Sequence, residues 1–132
     1  MIIKVYKQLK QYKDLKMTKV TIWHNPRCSK SRNALALLEE KGVEAEVLKY
    51  LETPPSREEI VEMLKMLGIS ARALMRTKEA IYKELALKDV SDEDALIDAM
   101  VENPKLIERP IVIKDGKAAI GRPIENIVDL LQ

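Results

Sequence analysis

The stretch Trp23–Asn33 reads WHNPRCSKSRN and decides how the rest of the chain is interpreted. It contains the only histidine, His24, and the only cysteine, Cys28, of the 132 residues. The β-branched run before it, residues 19–23, predicts a buried strand. The apolar periodicity after it predicts a helix over residues 29–42. Cys28 is therefore expected where a strand ends and a helix begins.

The surroundings of Cys28 favour a reactive thiol over an inert one. A free thiol has a pKa of about 8.5, and a helix N-terminus or nearby cations lower that value. Four cationic or titratable residues lie within four positions of Cys28, namely His24, Arg27, Lys30 and Arg32. Arg32, one helical turn on, is expected to stay near the thiol. The same cations and free amide groups also favour an oxyanion, so the sequence predicts a nucleophilic thiolate beside an anion site.

The first half of the chain predicts a β-α-β unit. Ser29 is a candidate N-cap for the first helix, and Gly42 ends it. A second strand follows over residues 45–51. A crossover of this length favours a parallel strand pair.

The middle of the chain, residues 53–104, reads as helical and without strands. Ser56 and Glu59 have the capping-box spacing at the start of one helix. Further helices are predicted over residues 70–76, 78–86 and 91–102, the last with Ser91 as N-cap.

The end of the chain returns to strands. Residues 110–121 predict a hairpin with Asp115-Gly116 at its turn, and a last helix begins near Pro123. The whole order predicts an α/β protein: a thioredoxin-like, mixed four-stranded sheet flanked by helices, with a helical insertion. Residues 17–132 are expected to form this single domain.

The charge of the chain is unevenly distributed. Residues 1–16 hold five lysines and one aspartate, which leaves 18 basic and 20 acidic residues of the 23 and 21 in the chain. We interpret residues 1–16 as a basic N-terminal extension and predict no nucleic-acid binding by the domain. No apolar run approaches the roughly 18–20 residues of a membrane span. A lone cysteine cannot form an internal disulfide, which favours a cytoplasmic location.

The segment IWHNPRCSKSRN resembles the active-site loop of the glutaredoxin-dependent arsenate reductases, whose signature H-x3-C-x3-R matches His24, Cys28 and Arg32. The resemblance continues through the segments LMR, ERPIV and GRP and covers about residues 18–131. Residues 29–31 read SKS where well-studied members carry GTS, which is typical of an arsenate-reductase-like sister branch.

The resemblance implies roles for particular residues. Cys28 would be the nucleophile that forms a covalent cysteine–arsenate intermediate, and His24 would favour its thiolate. It also implies a cis peptide bond before Pro110. Arg57 and Arg72 are interpreted as helix-surface residues. The implied substrate-binding residues are Arg76, Arg109, Arg122, Ser31 and Arg32.

The resemblance further implies arsenate or a similar oxyanion as substrate, glutathione as co-substrate and glutaredoxin as protein partner, with no bound cofactor and no metal. Two alternatives stay open. One is a thiol-stress regulator of the same fold that binds the RNA polymerase α subunit, although such proteins usually carry C-x-x-C where this chain has Ser31. The other is a redox protein with another oxyanion substrate.

Overall fold

The computed structural model describes residues 19–132, so the predicted extension over residues 1–16 lies outside the described residues. Within that range the chain forms four strands: β1 (Val20–Trp23), β2 (Ala45–Leu48), β3 (Ile111–Lys114) and β4 (Lys117–Ile120). Its α-helices are α1 (Ser29–Glu40), α2 (Arg57–Leu67), α3 (Ala71–Leu74), α4 (Ala80–Glu84), α5 (Glu93–Glu102) and α6 (Glu125–Leu131). Short 3-10 turns cover Leu87–Asp89 and Pro104–Leu106.

The strands form one mixed sheet in the order β2-β1-β3-β4. β1 and β2 are parallel, whereas β3 is antiparallel to both β1 and β4. Trp23 pairs with Leu48 on one side and with Ile111 on the other, and Ile111 pairs with Ile120. The ends of β1, β2 and β4 therefore meet the start of β3 at one edge, which we call the Trp23 edge. The predicted fold class is confirmed.

The sheet separates two apolar cores. On one face, Val20 and Ile22 of β1 pack in one buried cluster with Leu38 of α1 and Ile127 of α6. On the other face, Trp23 belongs to a larger cluster built mainly by the inserted helices. The buried members of that cluster from the insertion include Ile60, Met63, Leu74, Leu96, Met100 and Leu106. The alternation along β1 is the period of two that directs successive side chains to opposite faces.

The helix caps follow the expected chemistry, with two shifts in position. Ser56 and Glu59 form the predicted capping box at the start of α2. The predicted N-caps Ser29 and Ser91 are wrong by one residue, since Cys28 caps α1 and Asp92 caps α5. Asp and Ser are about equally good N-caps, so sequence preference alone does not choose between adjacent candidates.

A short antiparallel contact joins residues 74–76 to residues 106–108, the segment that leads into β3. The Arg76 N–H donates to Leu106 O at 2.7 Å, and the Glu108 N–H donates to Leu74 O at 2.8 Å. The predicted helix over residues 70–76 ends at Leu74, because this pairing takes over the backbone there. The pairing places Arg76 opposite Leu106 and Glu108 opposite Leu74, just before the start of β3.

Two arginines expected on helix surfaces differ in role. Arg57 is partly exposed and pairs with Asp94 and Asp98 at 2.6 and 2.7 Å, joining α2 to α5. Arg72 is not a plain surface residue. Its guanidinium donates to Val90 O and the Tyr82 hydroxyl, and to Leu87 O at 3.0 Å, which satisfies the carbonyls of a loop. We therefore correct the interpretation of Arg72 to a structural link.

None of the helices within residues 19–132 combines the length and the apolar character needed to cross a membrane.

Candidate active site

The sheet topology brings four distant segments to the Trp23 edge. The Cys28 loop follows β1, Tyr50 follows β2, Arg109 precedes β3 and Arg122 follows β4. Because the ends of these strands are in register, the four side chains converge although up to 94 positions separate them. The carboxyl ends of parallel strands are the usual place for ligand sites in α/β proteins.

Cys28 occupies the N-cap of α1. Its backbone is extended, its N–H donates to Asn25 O at 3.0 Å, and its carbonyl accepts the first helical bond from the Arg32 N–H at 3.0 Å. The amides of residues 29–31 precede that bond, so they have no intrahelical acceptor. The first turn carries no acidic residue. The thiol therefore lies where the helix dipole and free N–H groups favour negative charge.

Arg122 is the direct partner of the thiol. Its Nη2 lies 3.7 Å from Cys28 Sγ, and its Nε donates to Arg109 O at 2.9 Å. The preceding residue, Gly121, explains how the arginine gets this close. Its N–H donates to Pro110 O at 2.9 Å, and a Cβ at Gly121 would lie 2.6 Å from Ile127 Cδ1. A larger residue at this position would force the Ile127 side chain or the Pro110 ring to shift.

Arg109 has unused hydrogen-bonding capacity. Its side chain is 13% exposed, and among the described residues its buried Nε has no hydrogen-bond partner. The nearest carboxylate oxygen, Glu108 Oε1, lies 3.8 Å from Arg109 Nη1, beyond hydrogen-bond range. A buried guanidinium left in this state is costly unless an anion completes its bonds. The peptide bond between Arg109 and Pro110 is cis, as the resemblance implies.

Arg76 lies beside this pair but is already engaged. Its Nη1 lies 2.9 Å from Glu79 Oε2 and also approaches Lys105 O at 3.4 Å. Its side chain is about a quarter exposed. Its charge still reaches the site, because it lowers the pKa of both Tyr50 and Glu108 against the effect of burial. The structure thus brings the three predicted arginines Arg76, Arg109 and Arg122 to one place.

Two further residues of this place, Tyr50 and Glu108, were not predicted. Burial raises the pKa of the Tyr50 hydroxyl, and the charges of Arg76 and Cys28 act on it with opposite signs. The Tyr50 ring stacks on Trp23 with centroids 6.4 Å apart. Burial likewise raises the pKa of Glu108, opposed by Arg122 and Arg76. A sequence signal existed for each, since Tyr50 lies at the end of the strand predicted over residues 45–51 and Glu108 directly precedes Arg109.

His24 lies under the loop, in contact with Ser31. The two residues are buried, and Ser31 Oγ lies 2.7 Å from His24 Nδ1. Ser31 Oγ also accepts a bond from the Asn25 N–H at 3.0 Å. Ser31 Oγ thus joins the His24 ring to the backbone of the loop at Asn25. Ser31 has no exposed surface, so its part is to hold the loop together rather than to face a substrate directly.

His24 is held neutral by its surroundings. Burial lowers its pKa below 6.5, and the nearby charges of Lys49 and Arg32 lower it further. The unfolded chain therefore binds a proton more readily than the folded one once the pH falls below about 6.5. The contribution of His24 to stability is present above that pH and is lost on acidification toward its lower, folded-state pKa.

Arg32 is not part of the arginine cluster. It is exposed on α1, and its Nη1 donates to Pro26 O at 2.9 Å, which braces the loop before Cys28. Lys30 is also exposed.

Within residues 19–132 there is no grouping of three or more His, Cys, Asp or Glu side chains suited to a metal ion.

Comparisons with known proteins agree with this geometry. The ArsC family model matches residues 23–130. The chain is 55% identical to the arsenate reductase of Neisseria meningitidis serogroup A over 87% of its own length and all of the relative's. It is 60% identical to the uncharacterized protein YfgD of Escherichia coli, over 87% of this chain and 99% of the relative. The solved arsenate reductase from Vibrio cholerae superposes with a TM-score of 0.83 at 54% identity. The superposition covers 85% of this chain and 97% of the solved one. The family model and these relatives, which match most of the chain, show that it belongs to the ArsC family.

Proposed function

We propose that this protein is an arsenate reductase that uses the Cys28 thiolate as its nucleophile. The observation that carries the proposal is the 3.7 Å approach of Arg122 Nη2 to Cys28 Sγ, next to an Arg109 Nε that is buried without a partner among the described residues. A nucleophile and unused anion-binding donors at one place fit thiol attack on an oxyanion. The arsenate reductases among its relatives support the choice of arsenate.

The arginines and the start of α1 bind the substrate in this proposal. A tetrahedral oxyanion offers several acceptor oxygens, and guanidinium groups match them with paired donors as an ammonium cannot. Arg109 and Arg122 supply donors from the two ends of the β3–β4 hairpin, while Arg76 contributes from the insertion. The free amides at the start of α1 add donors beside the thiol. These groups put arsenic within reach of Sγ.

The first chemical step is a substitution at arsenic. The Cys28 thiolate forms an S–As bond, one As–OH bond breaks, and the departing oxygen takes a proton and leaves as water. Arsenic remains As(V) in this covalent intermediate. Positive charge around the site stabilises the negative charge that gathers on the arsenic oxygens during attack.

The reduction requires electrons from outside the chain. Converting As(V) to As(III) takes two electrons, and the sequence offers one cysteine, whose sulfur is already bound to arsenic. A first external thiol, glutathione, adds to the arsenic and displaces a second water. A second thiol, on glutaredoxin, then attacks the glutathione sulfur. The new disulfide carries away two oxidising equivalents, and hydrolysis of the remaining S–As(III) bond releases arsenite and restores Cys28.

His24 acts in this proposal as a positioning residue. Its neutral imidazole and the Ser31 hydroxyl fix the loop through the 2.7 Å contact, so that Cys28 keeps its place at the N-cap. Ser31 and Arg32 contribute by bracing this loop from within and from outside.

The test is a coupled assay of arsenite release with arsenate, glutathione and glutaredoxin. Wild-type protein is expected to turn over, and Cys28→Ser is expected to abolish release, since serine is a far weaker nucleophile. Lys30→Ala, which changes an exposed cation two positions away, is the matched control and should retain activity. Replacing glutaredoxin by thioredoxin identifies the protein donor. Absence of arsenite release from folded wild-type protein with either donor would refute the proposal.

A further inference from the structure

We propose that Glu108 makes the anion site selective for oxyanions that carry a hydroxyl group, such as arsenate and phosphate, against fully deprotonated ones such as sulfate. This proposal rests on the proposed function only in taking the arginine cluster to be an anion site. It assigns the carboxylate a part opposite to that of its neighbours: it accepts a hydrogen bond from the substrate, whereas the arginines donate.

The position of the carboxylate motivates the assignment. Glu108 Oε1 lies 3.8 Å from Arg109 Nη1 and 3.8 Å from Arg122 Nε, so it stands between the two guanidinium groups of the cluster. Arg122 in turn reaches the thiol. Backbone pairing with Leu74 fixes the position of Glu108 from the other side. An anion that contacts Arg109, Arg122 and Cys28 together therefore also meets this carboxylate.

The carboxylate has acceptor capacity to spare. Among residues 19–132 none donates a hydrogen bond to its oxygens, and both arginine contacts are longer than a hydrogen bond. Its side chain is only 26% exposed, so solvent satisfies it in part. Burial raises the pKa of this group, which is the effect expected of a carboxylate that lacks donors. A hydroxyl group on the bound anion supplies the missing donor.

The chemistry of the anions provides the discrimination. Arsenate and phosphate keep at least one hydroxyl at neutral pH, and that hydroxyl can donate to Glu108. Sulfate has no proton, so its oxygens face the carboxylate as acceptor against acceptor and charge against like charge. The like charge opposes all three anions, but arsenate and phosphate offset it with the donated hydrogen bond and sulfate has none to donate. The carboxylate is thus a repulsive element that selects against sulfate within an otherwise attractive site.

The experiment measures protection of Cys28 from iodoacetamide by phosphate, arsenate and sulfate, with no glutathione or protein donor present. In wild-type protein we expect sulfate to require about tenfold or more higher concentration than phosphate for half protection. In Glu108→Gln the amide can donate to sulfate, so this ratio should fall to about threefold or less. Glu108→Asp, which keeps the charge, should retain a preference for phosphate. Glu62→Gln, an exposed residue on α2, is the matched control and should behave as wild type.

The outcomes separate this proposal from the reductase activity. An unchanged phosphate-to-sulfate ratio in folded Glu108→Gln overturns the assignment, and so does wild-type protein that shows no preference or no protection by any of the anions. Folding of each variant is checked by its urea unfolding midpoint. Because no turnover is needed, a protein that prefers phosphate and arsenate but releases no arsenite would support this proposal while refuting the reductase.

Discussion

Replacing Arg122 by alanine should slow alkylation of Cys28, because it removes the cation closest to the sulfur. At the observed 3.7 Å, Coulomb's law gives about 1 kcal/mol in bulk water and about 4 kcal/mol at an effective dielectric constant of about 20. The Arg122 side chain is 32% exposed, so screening favours the lower end, about 1–2 kcal/mol. That energy corresponds to about a 5- to 30-fold slower alkylation.

The assay is the pseudo-first-order rate of iodoacetamide alkylation near neutral pH. Arg122→Ala should be alkylated more slowly than wild type, and Arg122→Lys should fall between the two, because lysine keeps the charge and loses the paired donors. Lys30→Ala, the matched control, removes an exposed cation from the first turn of α1 and should change the rate by less than about twofold.

Two results would refute the reasoning. One is an alkylation curve of Arg122→Ala that overlays the wild-type curve. The other is an equal loss of alkylation rate in Lys30→Ala, which would make general positive charge, rather than the placed guanidinium, the cause. Arg122→Ala also loses the 2.9 Å bond to Arg109 O, worth about 1 kcal/mol, so its unfolding midpoint is measured alongside.

Two further predictions concern stability. Gly121→Ala should destabilise the fold by about 1–3 kcal/mol, because the new Cβ overlaps Ile127 and Pro110. Urea unfolding measures this loss, and an unchanged midpoint would contradict it by showing that Ile127 and Pro110 accommodate the Cβ at no cost. Wild-type stability should fall as the pH drops below about 6.5, because the pKa of His24 is lower in the folded chain than in the unfolded one. His24→Asn should flatten that dependence, and equal slopes for both proteins would remove the role given to the histidine.

The fold could be predicted because its signals are local. The strands and helices followed from apolar periodicity, the capping box at Ser56 and the Asp115-Gly116 turn, and the structure has them all within a few residues. The errors are at boundaries where a tertiary contact decides. The helix predicted over residues 70–76 ends early because Met75 pairs with Ile107. The local sequence around Met75 gives no indication of a pairing partner 32 positions away at Ile107.

Part of the site could also be predicted from the sequence. Cys28 and the three arginines were found from the loop chemistry and the family resemblance, and the sheet register explains why they meet. Arg32 was expected near the thiol from spacing on the helix, yet its guanidinium turns to Pro26 O. Glu108 was missed because an acidic residue next to an arginine is typical of surface charge. Its significance appears only when the distances to Arg109 and Arg122 are known.

The β3–β4 hairpin keeps its turn well away from the arginine cluster. Its open end carries Arg109 and Arg122, while its turn, Asp115-Gly116, lies at the opposite end of strands of four residues each, about 13 Å away. The turn residues are exposed. A fluorophore, affinity peptide or longer loop grafted there would leave the spacing of the two arginines untouched. The hairpin thus offers a handle for immobilising or labelling the enzyme at a site remote from its chemistry.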